Sequence, residues 1–84
     1  MAGPYFLDPG KGQTEIPTWA AGRRTKVIVA NFSPSLGRLS MKAGASPQEF
    51  EDIEPGEVSL ERDFGGVLLT VQNEGNVPLT VKTA

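Results

Sequence analysis

Residues 53–84, IEPGEVSLERDFGGVLLTVQNEGNVPLTVKTA, decide the fold: three alternating or apolar runs separated by PG, GG and NEGN. Turn residues recurring every 8–12 or so positions between such runs mark an antiparallel all-β domain. Pro55–Gly56 suits a type II turn, with proline fixing φ at the first central position and glycine supplying a positive φ at the second. In EVSLERDF, Val58, Leu60 and Phe64 share a face with Arg62, while Glu57, Ser59, Glu61 and Asp63 occupy the other. This is the alternation of a half-exposed strand. Gly65–Gly66 reverses the chain, Val67–Val71 is apolar on both faces, and Val77, Leu79 and Val81 point inward on a last strand.

Working back toward the N-terminus, RTKVIVANF is the strongest strand signal of the first half. Val27 and Val29 share one face and Ile28, Ala30 and Phe32 the other, so this strand, like Val67–Val71, belongs inside a sheet. Leu39, Met41 and Ala43 alternate inward after the SPSLG loop. In TEIPTWA, Pro17 removes a ladder donor and confines any strand to an edge. Residues 1–13 read as a terminal arm or edge strand carrying Tyr5 and Phe6. In SPQEFEDIEPG, Ser46 and Glu49 fit a capping box with Pro47 on the first helical position. A single helical turn near 47–52, or an irregular crossing, with Phe50 and Ile53 tucked beneath it, is expected there rather than a regular strand.

One internal correspondence is visible. VANFSPSLGRLSMKA (29–43) and VQNEGNVPLTVKTA (71–84) share an order, with Val29, Asn31, Leu39, Met41 and Lys42 mapping onto Val71, Asn73, Leu79, Val81 and Lys82. Two similar hairpins facing one another would form the halves of a sandwich; duplication and convergence on hairpin chemistry both account for the match.

The expected fold is therefore all-β: one domain over 1–84, a small antiparallel β-sandwich, Ig-like or jelly-roll-like, of six or seven short strands. Its expected core is Val27, Val29, Phe32, Leu39, Met41, Phe50, Ile53, Val58, Leu60, Val67, Leu69, Val71, Leu79 and Val81. The motifs Pro55–Gly56–Glu57, Asn73–Glu74–Gly75 and Pro78–Leu79–Thr80–Val81 resemble the strand-turn language of bacterial immunoglobulin-like modules of the CARDB type. The resemblance covers about residues 53–81 and implies a β-sandwich with non-catalytic binding or spacing. It assigns no site residue.

Composition narrows the function. The 84 residues contain no cysteine and no histidine, so disulfides, Cys/His metal sites and most acid–base or nucleophilic designs are closed off. No catalytic residue, metal or cofactor is expected. The acidic cluster Glu49, Glu51, Asp52, Glu54, Glu57 lacks EF-hand spacing and reads as a solvated loop. GKGQT (10–14) lacks the spacing and following helix of a phosphate-binding loop. Arg23, Arg24 and Lys26 in a chain of pI about 5.0 are a poor nucleic-acid footprint. No run approaches the roughly 20 apolar residues of a membrane span. The N-terminus lacks a secretory pattern, making cytoplasmic residence the default, although a processed secreted chain would read the same.

Charge divides unevenly: residues 1–44 carry six basic against two acidic residues, net +4, and residues 45–84 two against eight, net −6. Together with a small core and apolar residues on both faces of two strands, this favours a non-enzymatic assembly protein, a homo-oligomer or a binder of a protein partner, through sandwich faces or edges. The alternative is a small carbohydrate- or ligand-binding module using Trp19 and the end loops. The candidate binding residues are Trp19, Arg23 and Arg24, since Trp and Arg concentrate at binding hot spots, with Tyr5 and Phe6 on the terminal segment.

Overall fold

The computed structural model describes all residues, Met1 to Ala84, and contains eight strands and no helix. They are β1 (Ala2–Leu7), β2 (Gly12–Ile16), β3 (Thr25–Asn31), β4 (Gly37–Ala43), β5 (Glu49–Ile53), β6 (Gly56–Arg62), β7 (Leu69–Asn73) and β8 (Leu79–Thr83). Two antiparallel four-stranded sheets form, ordered β1-β8-β3-β6 and β2-β7-β4-β5. The outermost and innermost strands of the chain are nested, β1 with β8, β2 with β7, β3 with β6 and β4 with β5. This is the winding of a jelly roll. In the immunoglobulin arrangement, by contrast, the first two strands are sheet neighbours.

The core lies where the inner faces meet. Ile16, Val27, Val29, Leu39, Ile53, Leu69, Val71 and Val81 are wholly inaccessible, with Leu7, Met41, Ala43 and Leu79 nearly so. Tyr5, Val58, Leu60, Phe64 and Val77 pack against this layer partly buried. β3 and β7 are each flanked on both sides, as expected, but β7 begins at Leu69 and turns Thr70 and Gln72 outward, so Val67–Val71 is not a strand apolar on both faces. The segments expected at the rim, residues 1–13 and TEIPTWA, supply the edge strands β1 and β2.

Four expectations are corrected, the helical turn near 47–52 and the core placement of Phe50, Phe32 and Val67. The eighth strand is β5, where a helical turn was expected near 47–52. Five residues pair with β4 from Gly37↔Ile53 to Met41↔Glu49. One isolated helical turn fixes several dihedrals for one hydrogen bond, which cannot compete with a full ladder against a central strand. Strand geometry then sends Ile53 inward and Phe50 outward, where it is 47% exposed. Phe32 and Val67 also leave the expected core: Phe32 is 87% exposed on the outer side of β3, and Val67 lies before the start of β7 at 44%. Residues 63–68 connect β6 to β7 through Gly65 and Gly66, both in the left-handed region at φ +64° and +77°.

The two half-chains are related by an internal pseudo-twofold that exchanges the sheets. Taking β1, β2, β3, β4 onto β5, β6, β7, β8 converts one strand order into the other read backwards. The registers follow: Val29 pairs with Val81 as Val71 pairs with Met41, and Ile28 with Lys82 as Thr70 with Lys42. These are the correspondences visible in the sequence. Asn31 and Asn73 end β3 and β7 with the same bonds. Asn31 Nδ2 donates to the carbonyls of Ser35 and Ile53, at 2.8 and 3.0 Å, and its Oδ1 accepts from the Ser33 amide at 3.0 Å. Asn73 Nδ2 donates to Val77 and Leu7, at 2.7 and 2.9 Å, and its Oδ1 accepts from the Gly75 amide at 3.0 Å.

Candidate functional site

The pseudo-twofold makes each sheet a control for the other. The central inner-face positions are apolar in both, but outer-face positions are free to differ. On the outer face of the β1-β8-β3-β6 sheet stand Ile28, Ala30 and Phe32. Their counterparts half a chain later are Thr70, Gln72 and Glu74. The fold therefore tolerates polar residues there, and their apolar character in the first half is not a demand of the core. Register adds Phe6 to the patch: it lies opposite Thr80, which lies opposite Ala30. Phe6 is 78% exposed. Pro4, Ile28, Ala30, Phe32, Glu57, Thr80 and Lys82 line a shallow hollow of about 270 Å³. Isolated exposed apolar residues are ordinary on protein surfaces; here Ile28, Phe32 and Phe6 share one face, with Thr80 between Phe6 and the largely buried Ala30.

The residues singled out in the sequence do not converge on one place. Along β1, Tyr5 faces the core and Phe6 faces out. Trp19 and Arg23 meet in the loop between β2 and β3, where the Arg23 guanidinium lies 3.6 Å from the indole centroid, a cation–π stack. Arg24 is exposed beside them. The loop is fastened at four points. The Trp19 amide donates to Thr25 Oγ1 at 2.9 Å, Thr18 Oγ1 donates to the Val67 carbonyl at 2.7 Å, the Gly22 amide donates to Asp63 Oδ2 at 2.8 Å, and the Arg23 amide donates to the Ala20 carbonyl at 3.1 Å. One face of the indole is thus already occupied by a guanidinium from its own loop.

The acidic cluster is divided by the fold. Asp52 pairs in register with Arg38 on the outer side of β5, while Glu49 and Glu51 reach Arg62 across the gap between the sheets. Arg62 Nη2 donates to Glu49 Oε2 at 2.7 Å and to Glu51 Oε1 at 3.2 Å, and its Nε donates to Glu49 Oε2 at 3.1 Å. This clamp joins β6 of one sheet to β5 of the other at the open side of the sandwich. Arg62 lowers the Glu49 carboxyl below its ordinary value, whereas the neighbouring Glu49 raises that of Glu51.

Opposite pH dependences follow. The Glu49 contribution is present above the ordinary carboxylate range and is lost as pH falls through its lowered pKa. Glu51, with its raised pKa, is best accommodated below that range and loses stability as pH rises. With Arg62→Met, the two carboxylates face each other uncompensated at neutral pH. The variant should be roughly 1 kcal/mol less stable than wild type near pH 7, measured by urea denaturation, and the gap should close below about pH 4. An equal gap at both pH values would show that the clamp acts only through packing.

The opposite charges of the two half-chains also meet within the molecule, at Lys26 and Glu61, 3.8 Å apart on β3 and β6. Ile28, Ala30, Phe32, Glu57 and Lys82 were not picked out as site residues from sequence. The signal available was the Asn31/Asn73 correspondence: once aligned, it sets Ile28, Ala30 and Phe32 against three polar residues.

No solved structure matches this chain. Two uncharacterized proteins of Dictyostelium discoideum are each 49% identical to it over 84 residues, spanning all of both chains. A family model described as a family of unknown function (DUF8244) matches residues 5–84. With nearly the whole chain matched by the family model and full-length relatives at this identity, the protein belongs to the family of unknown function DUF8244.

Proposed function

We propose that the protein is a non-enzymatic assembly protein that self-associates through the outer face of the β1-β8-β3-β6 sheet. The observation that carries this reading is the apolar row of Ile28, Ala30 and Phe32, set where the matching positions of the opposite sheet are Thr70, Gln72 and Glu74, with Phe6 exposed on the same face. A standard interface takes about 800 Å² from each partner, about a sixth of this chain's 4798 Å², and one sandwich face is enough for that. Burying an exposed phenylalanine contributes about 1.5–3 kcal/mol, and two are available. The absence of His and Cys, with Glu49 and Glu51 committed to Arg62, supports a non-catalytic role. Carbohydrate stacking on Trp19 is less well supported, because Arg23 already covers a face of the ring.

Sedimentation equilibrium at micromolar concentration should return a mass well above the 8.9 kDa of one chain. Ile28→Asp with Phe32→Asp should reduce it to that of a single chain. Thr70→Asp with Gln72→Asp, at the matching positions of the other sheet, should leave it unchanged. A wild-type mass of 8.9 kDa, or equal loss from both pairs, would overturn the proposal.

A further inference from the structure

The charges around the apolar strip specify how two copies would meet, and the inference rests on the self-association reading. On the outer face, Ile28 lies between Lys82 of β8 on one side and Ser59 of β6 on the other. One row along, Ala30 lies between Thr80 and Glu57. The strand on one side of β3 therefore carries a cation, and the strand on the other side carries anions. Glu61 is engaged by Lys26 at 3.8 Å. Lys82 and Glu57 make no ion pair within the chain, yet both line the hollow.

A sheet face can be laid on a copy of itself by a twofold axis in two simple ways. An axis across the strands sets β8 over β8 and β6 over β6, bringing lysine toward lysine and glutamate toward glutamate. An axis parallel to β3 exchanges the two sides and sets β8 over β6. Lys82 then lies over the position of Ser59, with Glu57 two residues away, about 7 Å along the strand, a gap that the two long side chains span. The roughly 30° crossing of aligned sheets keeps this overlap near the centre. Like charges brought together during desolvation oppose association, and unlike charges fix its register.

We propose that the occupant of this face is a second copy of the chain, packed about a twofold axis parallel to β3. Ile28 and Ala30 meet their own counterparts at the centre, and two Lys82–Glu57 pairs between subunits flank them. Ala30, a small residue between two larger ones, lets the central strands approach.

The test is charge exchange, read by sedimentation equilibrium of the full chain. Lys82→Glu alone should weaken association at least tenfold, and Glu57→Lys alone similarly. The double variant Lys82→Glu/Glu57→Lys should restore association to within about threefold of wild type, since each pair re-forms with its signs exchanged. Both positions of change, Lys82 and Glu57, are exposed in the single chain, and an unchanged circular dichroism spectrum verifies folding. If Lys82→Glu leaves association unchanged while Ile28→Asp/Phe32→Asp abolishes it, the face is right and the axis is wrong. If the single variants weaken association and the double variant does not recover, the Lys82–Glu57 pairing is wrong. A monomeric wild type instead removes the self-association reading beneath both.

Discussion

Asn73→Ala should lower the melting temperature by roughly 10–25 °C, the largest effect expected of any polar substitution in the chain. The side chain is 1% exposed and satisfies three backbone groups at once: the carbonyls of Leu7 and Val77 and the amide of Gly75. Leu7 ends β1 in the first sheet, while Asn73 ends β7 in the second. The amide thus ties the sheets together as well as shaping the β7–β8 loop. Alanine leaves these groups without partners where water enters poorly. Each buried unsatisfied group costs about 1–3 kcal/mol; allowing for relaxation, the total is about 2–4 kcal/mol. A domain of this size shifts by roughly 4–8 °C per kcal/mol and holds only about 4–13 kcal/mol in all. The internal twofold makes a second prediction of the same experiment: Asn31→Ala should cost a similar amount, because Asn31 binds Ile53, Ser35 and Ser33 in the same way. Calorimetric shifts under about 3 °C for both would show that these amides are not what holds the sheets together.

The paired asparagines also explain how an 84-residue chain without disulfide or metal closes a sandwich. A jelly roll must cross between its sheets at each turn of the winding, and each crossing exposes backbone groups that no ladder satisfies. At two crossings an asparagine at the strand end supplies the missing partners, and at the open side Arg62 bridges Glu49 and Glu51. The edges are managed as well. β1 and β2 each carry a register shift, between Ala2 and Tyr5 and between Gln13 and Ile16; such bulges twist an edge away from pairing with another chain. With β1 and β2 interrupted in this way, self-association through a face is more consistent with the fold than association through these two edges.

Much of this was legible in the sequence, for identifiable reasons. The central strands β3 and β7 announce themselves through their apolar, largely β-branched inner-face residues; a place between two neighbours does not require a second apolar face, since β7 turns Thr70 and Gln72 outward. The Val29–Asn31 and Val71–Asn73 correspondence is visible because both copies meet the same backbone demands. The β5 strand was hidden because EFEDI has no clean alternation and sits behind a capping box; long-range pairing with β4 overrides a local helical signal. Phe50 belongs to the core only if a helical turn sets it beside Ile53, and Phe32 only if the second face of β3 is covered; in the sandwich β5 is a strand and that face is open, so both side chains are exposed. Of the candidate site, the two-faced apolar pattern of Ile28, Ala30 and Phe32 was readable. Its meeting with Phe6, Lys82 and Glu57 depends on β1, β8 and β6 lying around β3, and that order is set by the winding of the whole chain.

Ile16 separates local pattern from tertiary structure most sharply, and Ile16→Ala should cost about 2–5 kcal/mol. In TEIPTWA, next to a proline and in an edge strand, it is absent from the expected core, yet it is wholly inaccessible. The bulge accounts for the difference. Gln13 pairs with Val71 and Ile16 with Leu69, so three steps on β2 match two on β7. Glu15 absorbs the extra residue in the left-handed region at φ +57°. Strict alternation from Gln13 would turn Ile16 to solvent; the inserted residue turns it onto Leu69 and into the core. Truncation to alanine should therefore lower the melting temperature by roughly 10–30 °C, while Phe32→Ala, which removes a larger side chain that is exposed in the single chain, should change stability by under about 0.5 kcal/mol when both are measured at dilution below the association range. Glu15→Gly relieves the left-handed backbone without altering the count of residues, and should be neutral or stabilising by about 0.5–1 kcal/mol. If Ile16→Ala proves as mild as Phe32→Ala in calorimetry, β2 follows ordinary alternation and the bulge that seats this side chain does not exist.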